Sequence, residues 1–137
     1  MAVVLDANVA MAIVKGEEEG LAIKSLILEG EEVVAPDLFR LEVASSVWKY
    51  VHAGYMDRKD ATAYCMAACD LPTRYVRQND FVPQVLHMAM RIEHSVYDST
   101  YLVLAQMLGA TLATLDRRLV NLCEQEGIDC VHPAQGL

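Results

Sequence analysis

Apolar and polar residues change period several times along the chain, and the changes mark an alternation of strands and helices. Short runs at 2–5, 32–35, 73–77, 111–115 and 128–131 read as strands. Between them, apolar residues recur at helical spacing over 8–14, 17–28, 57–70, 80–92, 96–108 and 117–126. A further helix follows Pro36 and Asp37 and runs to about His52. Gly30, Gly54, Pro72, Gly109 and Gly127 fall at the ends of these segments, as turns and helix C-caps require. Strands separated by helices of about ten or more residues give a parallel sheet with helices on both faces. The pattern therefore predicts one α/β domain over residues 1–137, without repeat, linker or low-complexity tract.

Within the helix that ends near His52, Leu41, Ala44, Trp48 and Val51 have the spacing of a buried stripe. Glu42, Ser45, Ser46 and Lys49 form the polar stripe beside it, with Glu42 at the boundary. A chain of 137 residues that is 54% hydrophobic carries more apolar surface than one small core buries. Met11, Ile13 and Val14 on the first helix are candidates for a homodimer contact, with a core role as the alternative.

Four acidic residues stand out by position. Asp6 ends the first strand and Asp116 ends the run at 111–115. Asp98 opens the apolar helix at 96–108, and Glu42 lies one turn into the helix after the second strand. In an open parallel sheet these points lie at the carboxyl edge, where such folds place their sites. Each has a plainer reading. Asp6 and Asp116 fit helix N-caps, and Asp98 follows Ser95 at capping-box spacing. Glu42 is mid-helix, so capping is excluded for it and a solvated face is its plain alternative. Carboxylates gathered at one edge repel one another and take up protons unless a cation neutralises them. Mg²⁺ and similar hard cations bind such all-oxygen sets, which points to metal-dependent phosphate chemistry.

Composition narrows the choice. The net charge of −8, from 19 acidic and 11 basic residues, argues against a broad nucleic-acid grip. No segment approaches the roughly 18 apolar residues of a membrane helix, and no basic n-region opens the chain, so a cytoplasmic protein is the default. Cys65, Cys69, Cys123 and Cys130 form no CxxC and have no zinc-spaced histidine; they read as small buried hydrophobes. Neither GxGxxG nor GxxxxGK[ST] occurs, so nucleotide cofactors are unsupported. His52, His87, His94 and His132 are scattered, and no GxSxG elbow accompanies them.

Taken together, the acidic segments resemble the PIN-domain ribonucleases, specifically the VapC-type toxins of prokaryotic toxin–antitoxin pairs. The resemblance is carried by Val4–Asn8, by Pro36–Ala44 around Glu42, by Val96–Ala105 around Asp98, and by Leu112–Leu119 around Asp116. It implies a three-layer α/β/α sandwich with a central parallel sheet. It also implies an endoribonuclease using Mg²⁺ or Mn²⁺, held by Asp6, Glu42, Asp98 and Asp116, with Asn8 and Thr114 in support. Arg40, Lys49, Arg117 and Arg118 are the cations best placed for an RNA backbone, with a solvated surface charge as their plain alternative. The implied partners are RNA, a VapB-type antitoxin and a second copy of the chain. Two competitors stay open. A phosphatase with Asp6 as nucleophile wants a carboxylate where Asn8 stands, and a receiver-like binding domain wants a lysine near Val131–Pro133.

Overall fold

The computed structural model describes residues 2–27 and 30–133. In chain order it runs β1 (Ala2–Leu5), α1 (Ala7–Val14), α2 (Glu18–Leu26), β2 (Glu32–Pro36), α3 (Leu38–His52), α4 (Arg58–Cys69) and β3 (Arg74–Val76). A 3-10 turn at Gln78–Phe81 leads into α5 (Val82–Ile92), α6 (Val96–Leu108), β4 (Thr111–Ala113), α7 (Arg117–Glu126) and β5 (Cys130–Val131). The strands form one all-parallel sheet in the order β3-β2-β1-β4-β5. The chain lays β1, β2 and β3 outward in one direction and then crosses back to build β4 and β5 on the other side of β1. The crevice between the carboxyl ends of β1 and β4 is therefore the switch point, where open α/β sheets hold ligands.

Alternation along the strands divides the core in two. Val4, Val34 and Leu112 point into one apolar cluster with α5, α6 and α7. Val3, Leu5, Ala35 and Ala113 point into the other, with α1 to α4. Strands buried on both faces are continuously apolar, which is why the runs around β1 and β2 were readable. Helix 17–28 ends at Leu26 in the described residues, and Leu28 lies outside them. The strand expected at 111–115 stops at Ala113, which releases Thr114 and Leu115 into the loop above the sheet. All four cysteines are free thiols, of which Cys123 is buried and the others half-buried. No helix among the described residues is long and apolar enough to cross a membrane.

Two expectations about apolar faces are overturned. The buried face of α3 is Phe39, Val43 and Val47, whereas Leu41 is 76% exposed and Trp48 is 54% exposed. Both stripes of this helix are apolar at helical spacing, so periodicity alone selects the wrong one. Glu42 borders the true core face. Met11 is only 2% exposed, and Ile13 and Val14 pack against the core, because α2, α3 and α4 all lie against α1. Met11 is therefore core, while Ile13 and Val14 remain partly exposed.

The α1–α2 contact is close enough to need glycine. A Cβ on Gly20 would stand 2.5 Å from the Ala12 carbonyl carbon and from the Ile13 nitrogen, both backbone atoms. Gly20→Ala is expected to destabilise the fold by about 1–3 kcal/mol through overpacking, read as a lower denaturant midpoint.

Candidate active site

Asp6 is placed by the sheet itself. Its backbone N–H donates to the Ala113 carbonyl at 3.0 Å, extending the β1–β4 ladder by one residue. It occupies the N-cap position of α1, but its side chain makes no capping bond. Instead, Asp6 Oδ2 accepts from the Thr114 hydroxyl at 2.8 Å. The same Thr114 oxygen accepts from the Asp116 N–H at 3.0 Å, so one hydroxyl joins the ends of β1 and β4. Asn8 adds a second tie, its Oδ1 accepting from the Leu115 N–H at 3.1 Å.

The other three carboxylates arrive on helices. Glu42 projects from α3, and its Oε1 accepts from the Tyr101 hydroxyl of α6 at 2.6 Å. Asp98 sits in the first turn of α6, where its N–H donates to Ser95 Oγ at 3.1 Å. Only half of the expected capping box forms, because the Asp98 carboxylate turns to His94 Nε2 at 2.7 Å. Asp116 caps α7, with Oδ1 accepting from the Arg118 N–H at 2.9 Å, so for this residue the capping reading holds.

Electrostatics separate these four into a group and an outlier. Asp6 is 7% exposed, and its carboxyl is pushed up from 3.8 to about 7. Burial is the main cause; the Thr114 hydrogen bond pulls the other way, while the charges of Glu42 and Asp98 push further up. Glu42 is also raised, by burial first and by Asp98, against the lowering effect of Tyr101. The Tyr101 hydroxyl is held firmly protonated by burial and by the surrounding carboxylates. Asp6, Glu42 and Asp98 thus feel one another, as convergence predicts. Asp116 is linked to them through Thr114.

These distances bear on the metal. Among the described residues, no three His, Cys, Asp or Glu side chains are arranged to hold an ion directly as they stand. The donor chemistry nevertheless fits a hard cation. The set is all oxygen, burial and neighbouring charge raise the Asp6 and Glu42 carboxyls, and Mg²⁺ sites often use one or two carboxylates with water completing the shell.

The predicted cations are not equivalent. Arg40 pairs with Asp37 at 3.1 Å and lies over the Tyr75 ring at 3.3 Å, so its guanidinium is already engaged. Lys49, Arg117 and Arg118 are exposed. Arg117 also borders a cleft of about 550 Å³ with Leu115, Asn121 and His132, next to Asp116. Two site residues escaped the sequence reading, Tyr101 and His94. Tyr101 looked like one more apolar position of α6, although a buried tyrosine hydroxyl demands a partner. His94 precedes the α6 N-cap, where helical spacing gave no reason to pair it with Asp98.

The PIN domain family profile matches residues 3–125, a span that holds all four carboxylates. Ribonuclease VapC12 of Mycobacterium tuberculosis is 30% identical over 119 residues, covering 87% of this chain and 90% of the relative. Ribonuclease VapC3 of Pyrobaculum aerophilum is 26% identical over 123 residues, covering 88% and 94%. The crystal structure of PAE2754 from Pyrobaculum aerophilum superposes with a TM-score of 0.74 at 21% identity, over 96% of this chain and 90% of that one. VapBC2 from Rickettsia felis, solved bound to a DNA fragment from its promoter, superposes at 0.62 with 10% identity, over 96% and 98%. Both structures share the α/β fold. The family match takes in every element from β1 to the last turn of α7, and the chain belongs to the PIN-domain family.

Proposed function

We propose that this protein is a divalent-metal-dependent endoribonuclease that hydrolyses RNA phosphodiesters, and that it is the toxin of a toxin–antitoxin pair. The observation that carries the reading is the Asp6 carboxyl, buried at the β1–β4 switch point and pushed up to about 7 beside Glu42 and Asp98. An acid buried among acids destabilises the protein unless something positive binds there. The names of the relatives, Ribonuclease VapC12 and Ribonuclease VapC3, support RNA as the substrate.

Asp6, Glu42, Asp98 and Asp116 would hold Mg²⁺ or Mn²⁺. The bound ion supplies polarisation of the phosphodiester and a lowered pKa for the attacking water. Thr114 orients Asp6 and Asn8 fixes the loop that carries Asp116. A carboxylate of this set would also take up the proton that the water loses. Lys49, Arg117 and Arg118 meet the RNA backbone, whereas Arg40 stays with Asp37 and Tyr75.

A VapB-type antitoxin and a second copy of the chain are the partners of this reading. The exposed face of α3, with Leu41 and Trp48, offers apolar surface for a protein contact, whereas Met11 of α1 is buried. An arginine from the antitoxin placed among the carboxylates would block metal and RNA together.

Purified protein should cut RNA with Mg²⁺ or Mn²⁺, stop cutting in EDTA, and lose activity in Asp6→Asn/Asp98→Asn. A small protein should co-purify from the native host, and light scattering should give a two-copy mass. Metal-independent cleavage by the double variant would end the assignment of the chemistry to a metal at this acidic set; a strictly monomeric mass would end the dimer.

A further inference from the structure

Two donors outside the acidic set each hold one oxygen of a site carboxylate. The Tyr101 hydroxyl reaches Glu42 Oε1 at 2.6 Å, between residues 59 apart in sequence. Tyr101 is fully buried, so its hydroxyl must be partnered, and facing a carboxylate oxygen it acts as the donor. His94 Nε2 meets Asp98 Oδ2 at 2.7 Å from the turn between α5 and α6.

That turn is shaped to deliver it. Glu93 has φ of 52° and is the one non-glycine residue in the left-handed region among the described residues. Its conformation closes α5, with the His94 N–H donating to the Ala89 carbonyl at 3.1 Å. Ser95 then caps α6 on the Asp98 N–H, so His94 and Ser95 grip both the side chain and the backbone of Asp98. A left-handed non-glycine residue persists where the surrounding structure fixes it, and such residues gather at functional sites.

Thr114 treats Asp6 in the same way, through Oδ2 at 2.8 Å. Each of the three mutually coupled carboxylates therefore gives one oxygen to a protein donor. A carboxylate held by one oxygen cannot swing away from its like-charged neighbours. We infer that Tyr101 and His94 are positioning residues for the metal: the Tyr101 hydroxyl fixes Glu42 through Oε1, His94 Nε2–H fixes Asp98 through Oδ2, and the second oxygen of each carboxylate is left to the ion. The inference rests on the metal-dependent reading above, and neither residue touches substrate or ion. Partners of this kind set the orientation of metal-binding groups.

Calorimetric titration of Mn²⁺ into the metal-free protein at one fixed pH tests this, alongside the melting midpoint without metal. Tyr101→Phe keeps the buried ring and removes only the hydroxyl. His94→Ala removes the donor, and His94→Gln returns an amide N–H at similar reach. Tyr101→Phe and His94→Ala should each weaken Mn²⁺ binding about 10–100-fold, with metal-free midpoints close to wild type. His94→Gln should restore most of the affinity. Unchanged Mn²⁺ affinity in both Tyr101→Phe and His94→Ala, with wild type binding normally, overturns the inference and leaves the nuclease reading standing. A lowered midpoint with unchanged affinity overturns it equally, since it marks a structural role only. Wild type that binds no Mn²⁺ overturns the metal reading itself, and this inference with it.

Discussion

Asp6→Asn is expected to raise the melting midpoint of the metal-free protein at pH 8 while abolishing Mn²⁺ binding and RNA cleavage. The folded carboxyl titrates at about 7 against an ordinary 3.8, chiefly because it is buried. A group whose folded pKa is raised contributes stability that is fully present below the unfolded value. That stability is lost as pH rises through the folded one. The metal-free protein should therefore weaken between about pH 4 and pH 7, by an amount on the order of 4 kcal/mol from this residue. Asparagine keeps the shape and still accepts the Thr114 hydrogen bond, but it carries no charge to bury. The gap between variant and wild type should be small at pH 5 and open towards pH 8. Saturating Mn²⁺ should close it from the wild-type side, because a ligand that binds only the folded state stabilises it. A midpoint for Asp6→Asn that lies below wild type at pH 8 would mean that the buried charge is already compensated by the protein.

Glu42→Gln should reduce RNA cleavage by at least about 100-fold, the upper end of what losing an outer metal partner costs, while the fold stays intact. Glu42 borders the buried face of α3, so the substitution leaves no cavity and buries no new polar group. The amide oxygen that replaces Glu42 Oε1 remains an acceptor for the Tyr101 hydroxyl, which separates loss of charge from loss of the hydrogen bond. Circular dichroism and the melting midpoint check the fold, and single-turnover cleavage with Mg²⁺ checks the chemistry. Wild-type cleavage by this variant would reduce Glu42 to a surface residue. The acidic set would then shrink to Asp6, Asp98 and a helix cap at Asp116.

The same site divides into what one dimension shows and what it does not. Asp6 was legible because it directly follows an apolar strand, and Asp116 because it closes the apolar run that contains β4. The Tyr101–Glu42 bond was not legible, since it joins α6 to α3 across the top of the sheet. The His94–Asp98 pair spans four residues, yet it depends on Glu93 being left-handed, and glutamate gives no sequence signal for that conformation. Arg40 looked as available as Arg117, and only the packing of β3 beside β2 brings Tyr75 under its guanidinium.

Local order was determined by the sequence alone. Alternating apolar periods with glycine and proline at the breaks dictate strands separated by helices, and that alternation admits a parallel sheet covered on both faces. Asp6, Asp98 and Asp116 near element ends, with Glu42 one turn into its helix, give the expectation of a shared acidic edge. The tertiary structure decided every choice between equivalent surfaces. On α3 two apolar stripes compete, and the face of Phe39, Val43 and Val47 won because it meets α1 and the sheet, leaving Leu41 and Trp48 to solvent. On α1 the same burial removed Met11 from the surface. The tertiary structure also decided which acid bears the cost of convergence. Asp6 is sealed under α1 and Thr114 while Asp116 remains a half-exposed cap, and desolvation depends on depth, which no residue carries in its own identity.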